Sequence, residues 1–162
     1  MLLVSRRPEV FHTALNPHNK CGAYQLRAVL NAFGKDASVE ELYWSQIHHD
    51  RDWSLPPLMP SILQRYGVHA RMRIWPHHSF KAHMLAMLAG DKPVLFVIHS
   101  IRGTGCLHWI SVWGYDETTD EFLCYDSQAP ESRESSGNTR YATSLLLSRL
   151  PWYGTFALVI EP

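Results

Sequence analysis

The chain carries two kinds of hydrophobic periodicity in a definite order, and this order most constrains its fold. Three stretches with helical spacing come first, the clearest over residues 23–33, with Gly34 as its C-cap. Strand-like runs follow, separated by two further helical stretches. Helices followed by strands are typical of an α+β protein. We therefore predict a helical half packed against a mainly antiparallel twisted sheet.

Capping residues and alternating polarity set the expected boundaries. The continuous apolar run at 93–99 predicts a buried central strand. Residues 1–15 fit an edge strand or an irregular lead-in, and the polar segment 127–140 fits either a disordered surface loop or a loop at the rim of a cleft. Helices are expected at 23–33, 38–47, from the prolines at 56, 57 and 60 to Gly67, at 80–89 with Gly90 as its cap, and at 141–149; strands are expected at 68–75, 93–99, 107–115, 121–126 and 155–160.

The composition is that of a globular protein and argues against several functional classes. The 162 residues are enough for one domain with a core, and we predict a single domain over residues 1–162. Fifteen Lys and Arg balance fifteen Asp and Glu, so nothing indicates nucleic acid or an anionic membrane as a partner. With no signal peptide, no apolar run of spanning length and three cysteines, a cytoplasmic location is expected. Secretion without a cleaved signal is the alternative.

Cys21 lies at the predicted start of the first helix. Asn19 suits the N-cap position, which places Cys21 in the first turn. Unpaired backbone N–H groups and the positive end of the helix dipole favour an anion there, so the thiol ionises below its free pKa of about 8.5. Gly22 has no side chain that would block the approach of a substrate to the thiol. The alternative interpretation is a buried structural thiol.

A predicted hairpin supplies two partners for this thiol. The strands at 107–115 and 121–126 are joined by a short polar loop. If that loop has three or five residues, so that Gly114 pairs with Asp120, then His108 lies directly opposite Asp126. A loop with an even number of residues would place Asp126 on the other face. A carboxylate beside an imidazole fixes its tautomer and stabilises its charged form, so His108 is the candidate base. His18, close to Cys21 in sequence, is a rival.

Two metal sites are alternatives that the spacing does not favour. His48 and His49 are adjacent, but no further ligand lies at a suitable distance in the sequence. The set of Cys21, Cys106, His108 and Cys124 lacks the usual short zinc spacings. We therefore predict no metal and no cofactor, with Cys106 and Cys124 as packing thiols.

These motifs, in this order, resemble the papain-like cysteine peptidases. The similarity is greatest to the bacteriocin-processing peptidases that cut after a double-glycine leader, and it covers roughly residues 16–160. The matching stretches are CG at 21–22, NAFG at 31–34, SVEEL at 38–42, ILQRYGV at 62–68, KPVLFVI at 92–98, HWISVWGYD at 108–116 and FLCYDS at 122–127.

The resemblance implies a papain-like fold and a role for each candidate residue. Cys21 corresponds to the nucleophile, His108 to the base and Asp126 to the residue that orients the base. The family places an oxyanion-stabilising Gln six residues before the cysteine, where this chain has Leu15. Asn16 is one position from that slot, so we predict Asn16 as the donor, with Asn19 as the fallback.

The sequence thus predicts a thiol-dependent hydrolase that cleaves a peptide bond through an acyl-enzyme intermediate. Its expected partner is a peptide or protein substrate; nothing in the sequence sets an oligomeric state. Two alternatives stay open. An acyltransferase would use the same three residues, and a non-catalytic binding module with this fold would be consistent with Leu15 in place of the family's Gln.

Overall fold

The chain is built on an antiparallel sheet with helices packed against it. The computed structural model describes residues 1–13, 20–46, 58–102 and 106–162. The described helices are α1 (Cys21–Ala32), α2 (Val39–Gln46), α3 (Met59–Arg65), α4 (Phe80–Ala89) and α5 (Thr143–Arg149). The described strands are β1 (Leu2–Leu3), β2 (Ala70–Trp75), β3 (Val94–His99), β4 (Leu107–Asp116), β5 (Glu121–Tyr125), β6 (Thr139–Ala142) and β7 (Thr155–Ile160).

The described strands form one sheet in the order β2-β7-β3-β4-β5-β6, and β1 pairs with the end of β4. Every pairing among them is antiparallel. The apolar run of β3 lies between β7 and β4, and its first five residues are buried. The predicted central strand and the predicted α+β class are both confirmed.

The first helix begins at Cys21, two residues before the first apolar residue of the periodic stretch, Ala23. Lys20 occupies the N-cap position without a side-chain capping bond; the predicted cap, Asn19, lies outside the described residues. At the other end, Gly34 adopts a φ of 67°, as a left-handed residue after a helix does. The described residues thus provide no side-chain cap at the start of α1, and Cys21 lies in the first turn of this helix, as predicted.

The next helices agree with their capping signals. In α2, the Ser38 hydroxyl accepts a hydrogen bond from the Glu41 N–H at 3.1 Å, half of the predicted capping box. Pro60 lies in the first turn of α3, and Gly67 follows that helix with a φ of 76°. The helix α4 has its predicted bounds, but Asp91 rather than Gly90 takes the positive φ, of 61°, after it.

The predicted helix at 141–149 is partly wrong. Its first two residues belong to β6, which pairs with β5 at the edge of the sheet, and α5 begins only at Thr143. Tyr141 is the one buried residue of β6. A four-residue edge strand with a single buried side chain has too little apolar periodicity to be recognised. The rest of the polar segment 127–140 is anchored by a bridge between Phe11 and Ser132.

The predicted pairing of the β4–β5 hairpin is also wrong. Asp116 pairs with Glu121, so the loop has four residues, 117–120, and Gly114 does not pair with Asp120. Local contacts explain this loop length. The Asp116 carboxylate accepts the Thr118 N–H at 3.1 Å, and Asp120 takes a left-handed φ of 56° that turns the chain into β5.

A bulge compensates for the even loop. The register shifts by one residue between Val112 and Gly114, so that Val112 pairs with Cys124. Because the loop and the bulge each reverse the side-chain alternation, Asp126 returns to the face on which His108 lies. The two residues are then diagonal neighbours, not directly opposed ones, and diagonal pairs are still within reach of long side chains.

The helices cover the sheet with aromatic and apolar side chains. The ring of Phe80 in α4 lies 5.1 Å from that of Phe96 and 6.5 Å from that of Phe122, centroid to centroid. One connected core reaches from Val4 to Ile160. Among the described residues, no helix combines the length and the apolar character that a membrane crossing requires.

Candidate active site

The Cys21 thiol lies at the start of α1 and is hydrogen-bonded to His108. Burial by itself raises the pKa of this thiol. The hydrogen bond and charge of His108, together with the backbone N–H groups of Trp109 and Gly22, outweigh burial and lower the pKa below its ordinary value. Cys21 is therefore a thiol whose surroundings favour the thiolate.

His108, at the beginning of β4, joins the thiol to a carboxylate. Its side chain is buried, and its Nε2 lies 2.8 Å from Asp126 Oδ1. Burial alone lowers the pKa of the imidazole, but the hydrogen bonds and charges of Asp126 and Cys21 raise it to about 9.

Asp126 follows the last residue of β5 and is fully buried. Its Oδ1 also accepts the Gln128 N–H at 2.8 Å, and its Oδ2 accepts the Tyr141 hydroxyl at 2.7 Å. Burial raises the pKa of the carboxyl, yet the His108 contact and these two hydrogen bonds lower it below its usual range. The carboxylate is thus held in its charged form.

The turn after Asp126 is fixed by Asn138. The Asn138 amide accepts the Asp126 N–H at 3.0 Å and donates to the Asp126 carbonyl at 2.9 Å. It also donates to the Pro130 carbonyl at 3.2 Å. The polar segment that follows β5 therefore holds the backbone of Asp126 in place through Asn138. Neither sequence-based alternative for 127–140 described this role.

A buried glutamine holds α1 against the two strands. Gln25, one turn after Cys21, donates to the carbonyls of Trp109 and Tyr125, each at 3.2 Å, and accepts the Ser111 hydroxyl at 2.6 Å. Trp109 follows His108, and Tyr125 precedes Asp126. One side chain thus sets the position of the helix relative to both partners of the thiol. The sequence analysis missed Gln25. Its signal is a polar residue at a core-facing position of the helix, four residues after the cysteine.

Two further residues contact Asp126 without a signal in the sequence. Tyr141 reaches it because β6 is a strand, where a helix was predicted. The Arg102 Nε lies 3.3 Å from the Tyr141 hydroxyl and 3.8 Å from Asp126 Oδ2. Arg102 follows β3, and no spacing in the sequence relates it to the hairpin.

The other cysteines differ from each other. Cys124 is buried, its S–H donates to the Phe122 carbonyl at 3.5 Å, and burial raises its pKa well above the ordinary value. It is a packing thiol, as predicted. Cys106 is exposed, so the same prediction for it is wrong; it precedes β4 at the end of the sheet, where solvent reaches it. Within the described ranges, no three His, Cys, Asp or Glu side chains are grouped as metal ligands.

Several predicted residues lie outside the described part of the chain. The oxyanion donors Asn16 and Asn19 fall in residues 14–19, as does the rival base His18, and His48 and His49 fall in residues 47–57. Their predicted roles stay predictions. Among the described residues, the Cys21 backbone N–H is a candidate oxyanion donor, because an N–H in the first turn of a helix has no intrahelical partner.

A helix that presents a cysteine to a His–Asp pair on an antiparallel sheet is the arrangement of papain-like cysteine peptidases. The chain belongs to the Peptidase C39 like family, whose model matches residues 8–144. This range contains Cys21, His108 and Asp126. The protein is thus a cysteine peptidase-like hydrolase, as the motifs indicated. No curated protein matches the sequence.

Solved structures with the same fold include three peptidases from transport or secretion proteins. One is the peptidase domain of Streptococcus ComA, a bifunctional ABC transporter involved in quorum sensing, with a TM-score of 0.65, 18% identity, and coverage of 95% of this chain and 98% of that one. Another is a double-glycine-motif protease from an AMS/PCAT transporter in complex with its leader peptide, with a TM-score of 0.63, 16% identity, and coverage of 100% and 99%. A third is the N-terminal peptidase C39 like domain of a toxin secretion ATP-binding protein from Vibrio parahaemolyticus, with a TM-score of 0.54, 16% identity, and coverage of 93% and 100%.

Proposed function

We propose that this protein is a cysteine peptidase that cleaves a peptide bond with Cys21 as nucleophile, His108 as acid and base, and Asp126 as the residue that orients His108. The continuous hydrogen-bonded series from the Cys21 sulfur through His108 to Asp126 carries this proposal. Lowering of the Cys21 pKa and raising of the His108 pKa support an ion pair as the resting state.

The reaction follows from these protonation states. The Cys21 thiolate attacks the carbonyl carbon of the substrate, and the developing oxyanion accepts the Cys21 backbone N–H. When the C–N bond breaks, the His108 imidazolium gives its proton to the leaving amine, which leaves a thioester on Cys21. His108, now neutral, removes a proton from water. The resulting hydroxide attacks the thioester, the carboxylic acid departs, and the thiolate and imidazolium are restored.

A second oxyanion donor belongs to this proposal. Asn16 is assigned this role, with Asn19 as the fallback, because Asn16 is one position from the slot in which the family places its oxyanion-stabilising Gln. Loss of such a donor in other hydrolases lowers kcat by about 10²–10³. The proposed site therefore requires an amide from the segment that precedes α1.

The substrate is proposed to be an extended peptide segment of another protein. Membership of a peptidase-like family and the leader peptide held by one similar protease support this class of substrate. A single domain over residues 1–162 is also part of the proposal, supported by the connected core. The cytoplasmic location expected from the sequence stays a prediction.

Selective alkylation tests the nucleophile without knowledge of the substrate. At pH 6, iodoacetamide should modify Cys21 well before the exposed Cys106, because the His108 imidazolium stabilises the Cys21 thiolate. Peptide mapping by mass spectrometry measures both rates. Cys21→Ala should abolish cleavage in a screen of peptides with Gly, Ala or Ser before the cut, whereas the matched variant Cys106→Ser should keep it.

Two results would contradict the proposal. Equal alkylation rates for Cys21 and Cys106 at pH 6 would remove the activated thiol. Cleavage that persists in Cys21→Ala would assign the activity to another group. Selective alkylation without cleavage, but with transfer of an acyl group to an added amine, would replace the hydrolase by an acyltransferase that uses the same residues.

A further inference from the structure

The two oxygens of the Asp126 carboxylate have separate sets of partners. Oδ1 faces the reactive side, where it meets His108 Nε2 at 2.8 Å. Oδ2 faces away and accepts the Tyr141 hydroxyl at 2.7 Å. Behind that hydroxyl, Arg102 Nε lies 3.3 Å from the Tyr141 oxygen and 3.8 Å from Oδ2. The carboxylate is thus held between the catalytic imidazole and a Tyr–Arg pair.

The charges of the proposed site do not balance without Arg102. In the resting ion pair, Cys21 and Asp126 each carry a negative charge and only His108 is positive. This leaves a net negative charge in a place from which water is largely excluded, since the side chains of His108 and Asp126 are 3% and 1% exposed. The guanidinium of Arg102 is the cation beside the outer oxygen, and its side chain is 39% exposed. It can therefore neutralise the site while it keeps most of its own hydration.

Among the groups around Asp126 other than His108, Arg102 supplies the positive charge and Tyr141 supplies a hydroxyl that donates to the carboxylate. Neutral Cys124 and Tyr125 contribute no positive charge, and burial raises the pKa of each. Burial and the Asp126 charge also raise the pKa of Tyr141, so its hydroxyl remains a donor at neutral pH. The titratable and charged groups that interact with Asp126 are His108 of β4, Cys124 and Tyr125 of β5, Tyr141 of β6, and Arg102 after β3. Cys21 of α1 is linked to Asp126 through His108.

We propose that Arg102 and Tyr141 are positioning residues of this site: Tyr141 orients the Asp126 carboxylate toward His108, and Arg102 supplies the charge that permits two anions in one buried cluster. This inference rests on the proposed function, because it concerns the thiolate form of Cys21. Neither residue touches the substrate carbonyl in the proposed reaction. Both act through Asp126.

The pH dependence of Cys21 alkylation tests this role directly and needs no substrate. In a Cys106→Ser background, the rate of iodoacetamide labelling follows the fraction of thiolate. Removal of a positive charge a few ångströms from Asp126 makes a second negative charge less favourable. Arg102→Gln should therefore move the midpoint of the alkylation profile to higher pH by about half to one unit, as expected for a partly screened charge. Arg102→Lys keeps the charge and should restore most of the wild-type midpoint.

Tyr141→Phe should move the midpoint in the same direction, by a smaller amount, because it removes the O–H dipole that points at Asp126 and the hydroxyl that holds Arg102. The matched control is Tyr115→Phe. The Tyr115 hydroxyl also donates to a carboxylate, Asp120 Oδ1 at 2.8 Å, but in a different part of the fold. Its variant should leave the midpoint unchanged. If Tyr141→Phe does not fold, Arg102→Gln, whose side chain is partly in solvent, decides the same question.

The outcomes separate this inference from the proposed function. Selective labelling of wild-type Cys21 together with unmoved midpoints in Arg102→Gln and Tyr141→Phe would overturn the positioning role and leave the peptidase proposal intact. An equal shift in Arg102→Lys and Arg102→Gln would overturn the charge argument. Wild-type Cys21 that reacts no faster than Cys106 would overturn the proposed function, and this inference would fall with it.

Discussion

At the scale of single residues, the pKa of the Cys21 thiol is shifted toward the ordinary range of histidine, and the pKa of the His108 imidazole is shifted toward the ordinary range of cysteine. The pKa of the thiol is lowered, although burial opposes this, and that of the imidazole is raised to about 9. In the proposed mechanism the thiolate–imidazolium pair is the active form. As pH falls, the thiolate is protonated; as pH rises through about 9, the imidazolium loses the proton that the proposed mechanism gives to the leaving amine.

The dependence of kcat/KM on pH should therefore be bell-shaped, with its alkaline limb near pH 9. The alkylation rate of Cys21 should not fall on that limb, because the thiolate persists after His108 is deprotonated. Both profiles can be measured on one preparation with a cleavable peptide and iodoacetamide. An alkaline limb near pH 6.5, the ordinary range of histidine, would show that Asp126 and Cys21 do not raise the His108 pKa as the structure indicates.

The sequence was sufficient to choose Cys21, His108 and Asp126 as candidates, for reasons that were partly right. Cys21 was placed at a helix start by local capping and periodicity, and it begins α1. The contact between His108 and Asp126 was predicted from a loop of the wrong length, and a bulge compensates for that error. Tyr141 and Arg102 were out of reach, because they meet Asp126 only through tertiary packing of β6 and the segment after β3.

At the scale of elements, the packing of α1 against β4 and β5 depends on Gln25. This buried amide makes three hydrogen bonds, to the carbonyls of Trp109 and Tyr125 and to Ser111. Gln25→Leu keeps the volume but leaves two buried carbonyls without their donor. We expect a loss of about 2–4 kcal/mol in the free energy of unfolding. Urea denaturation measures this change, and selective labelling of Cys21 should slow with it.

The matched control for this change is Gln64→Leu. Gln64 is a glutamine in α3 with an exposed side chain, so its replacement should alter the free energy of unfolding by less than about 0.5 kcal/mol. Equal effects of the two substitutions would mean that the Gln25 hydrogen bonds contribute nothing beyond helix propensity.

Elements with strong local signals were predicted well, and those set by tertiary pairing were not. The strand at 155–160 and the helix at 80–89 have their predicted bounds, because apolar runs and capping residues delimit them. The bulge was missed, although Gly114 interrupts the strand pattern and marks a close approach: a Cβ there would lie 2.7 Å from the Leu2 carbonyl oxygen. That approach is made by β1, which no local pattern in the sequence defines.

For the molecule as a whole, Asp120 links three separate parts of the fold. Its Oδ1 accepts hydrogen bonds from Lys81 of α4 at 2.8 Å, from Thr143 of α5 at 2.5 Å and from Tyr115 of β4 at 2.8 Å. The hydrogen bonds with Lys81, Thr143 and Tyr115 lower the pKa of this carboxyl to about 2. A lowered pKa stabilises the folded state above the unfolded value of about 3.9, and this contribution is lost as pH falls through about 2.

Asp120→Ala should therefore lower Tm at pH 7, and the difference in Tm from wild type should shrink as the pH is lowered below about 4. Thermal unfolding followed by circular dichroism at several pH values measures both effects. Asp36→Ala, at an exposed aspartate, is the control and should change Tm little at any pH. A difference that stays constant down to pH 2.5 would mean that Asp120 acts through its backbone conformation and not through its charge.

The wide separation of Cys21 from its two partners along the chain has a consequence for the newly made protein. During synthesis Cys21 is made before β4 and β5, which follow it in the chain after several other elements. Until the sheet closes on α1, the sulfur has no imidazolium beside it and behaves as an ordinary thiol. If Cys21 is the nucleophile as proposed, its activation therefore depends on completed folding, because its partner His108 reaches it only in the folded sheet.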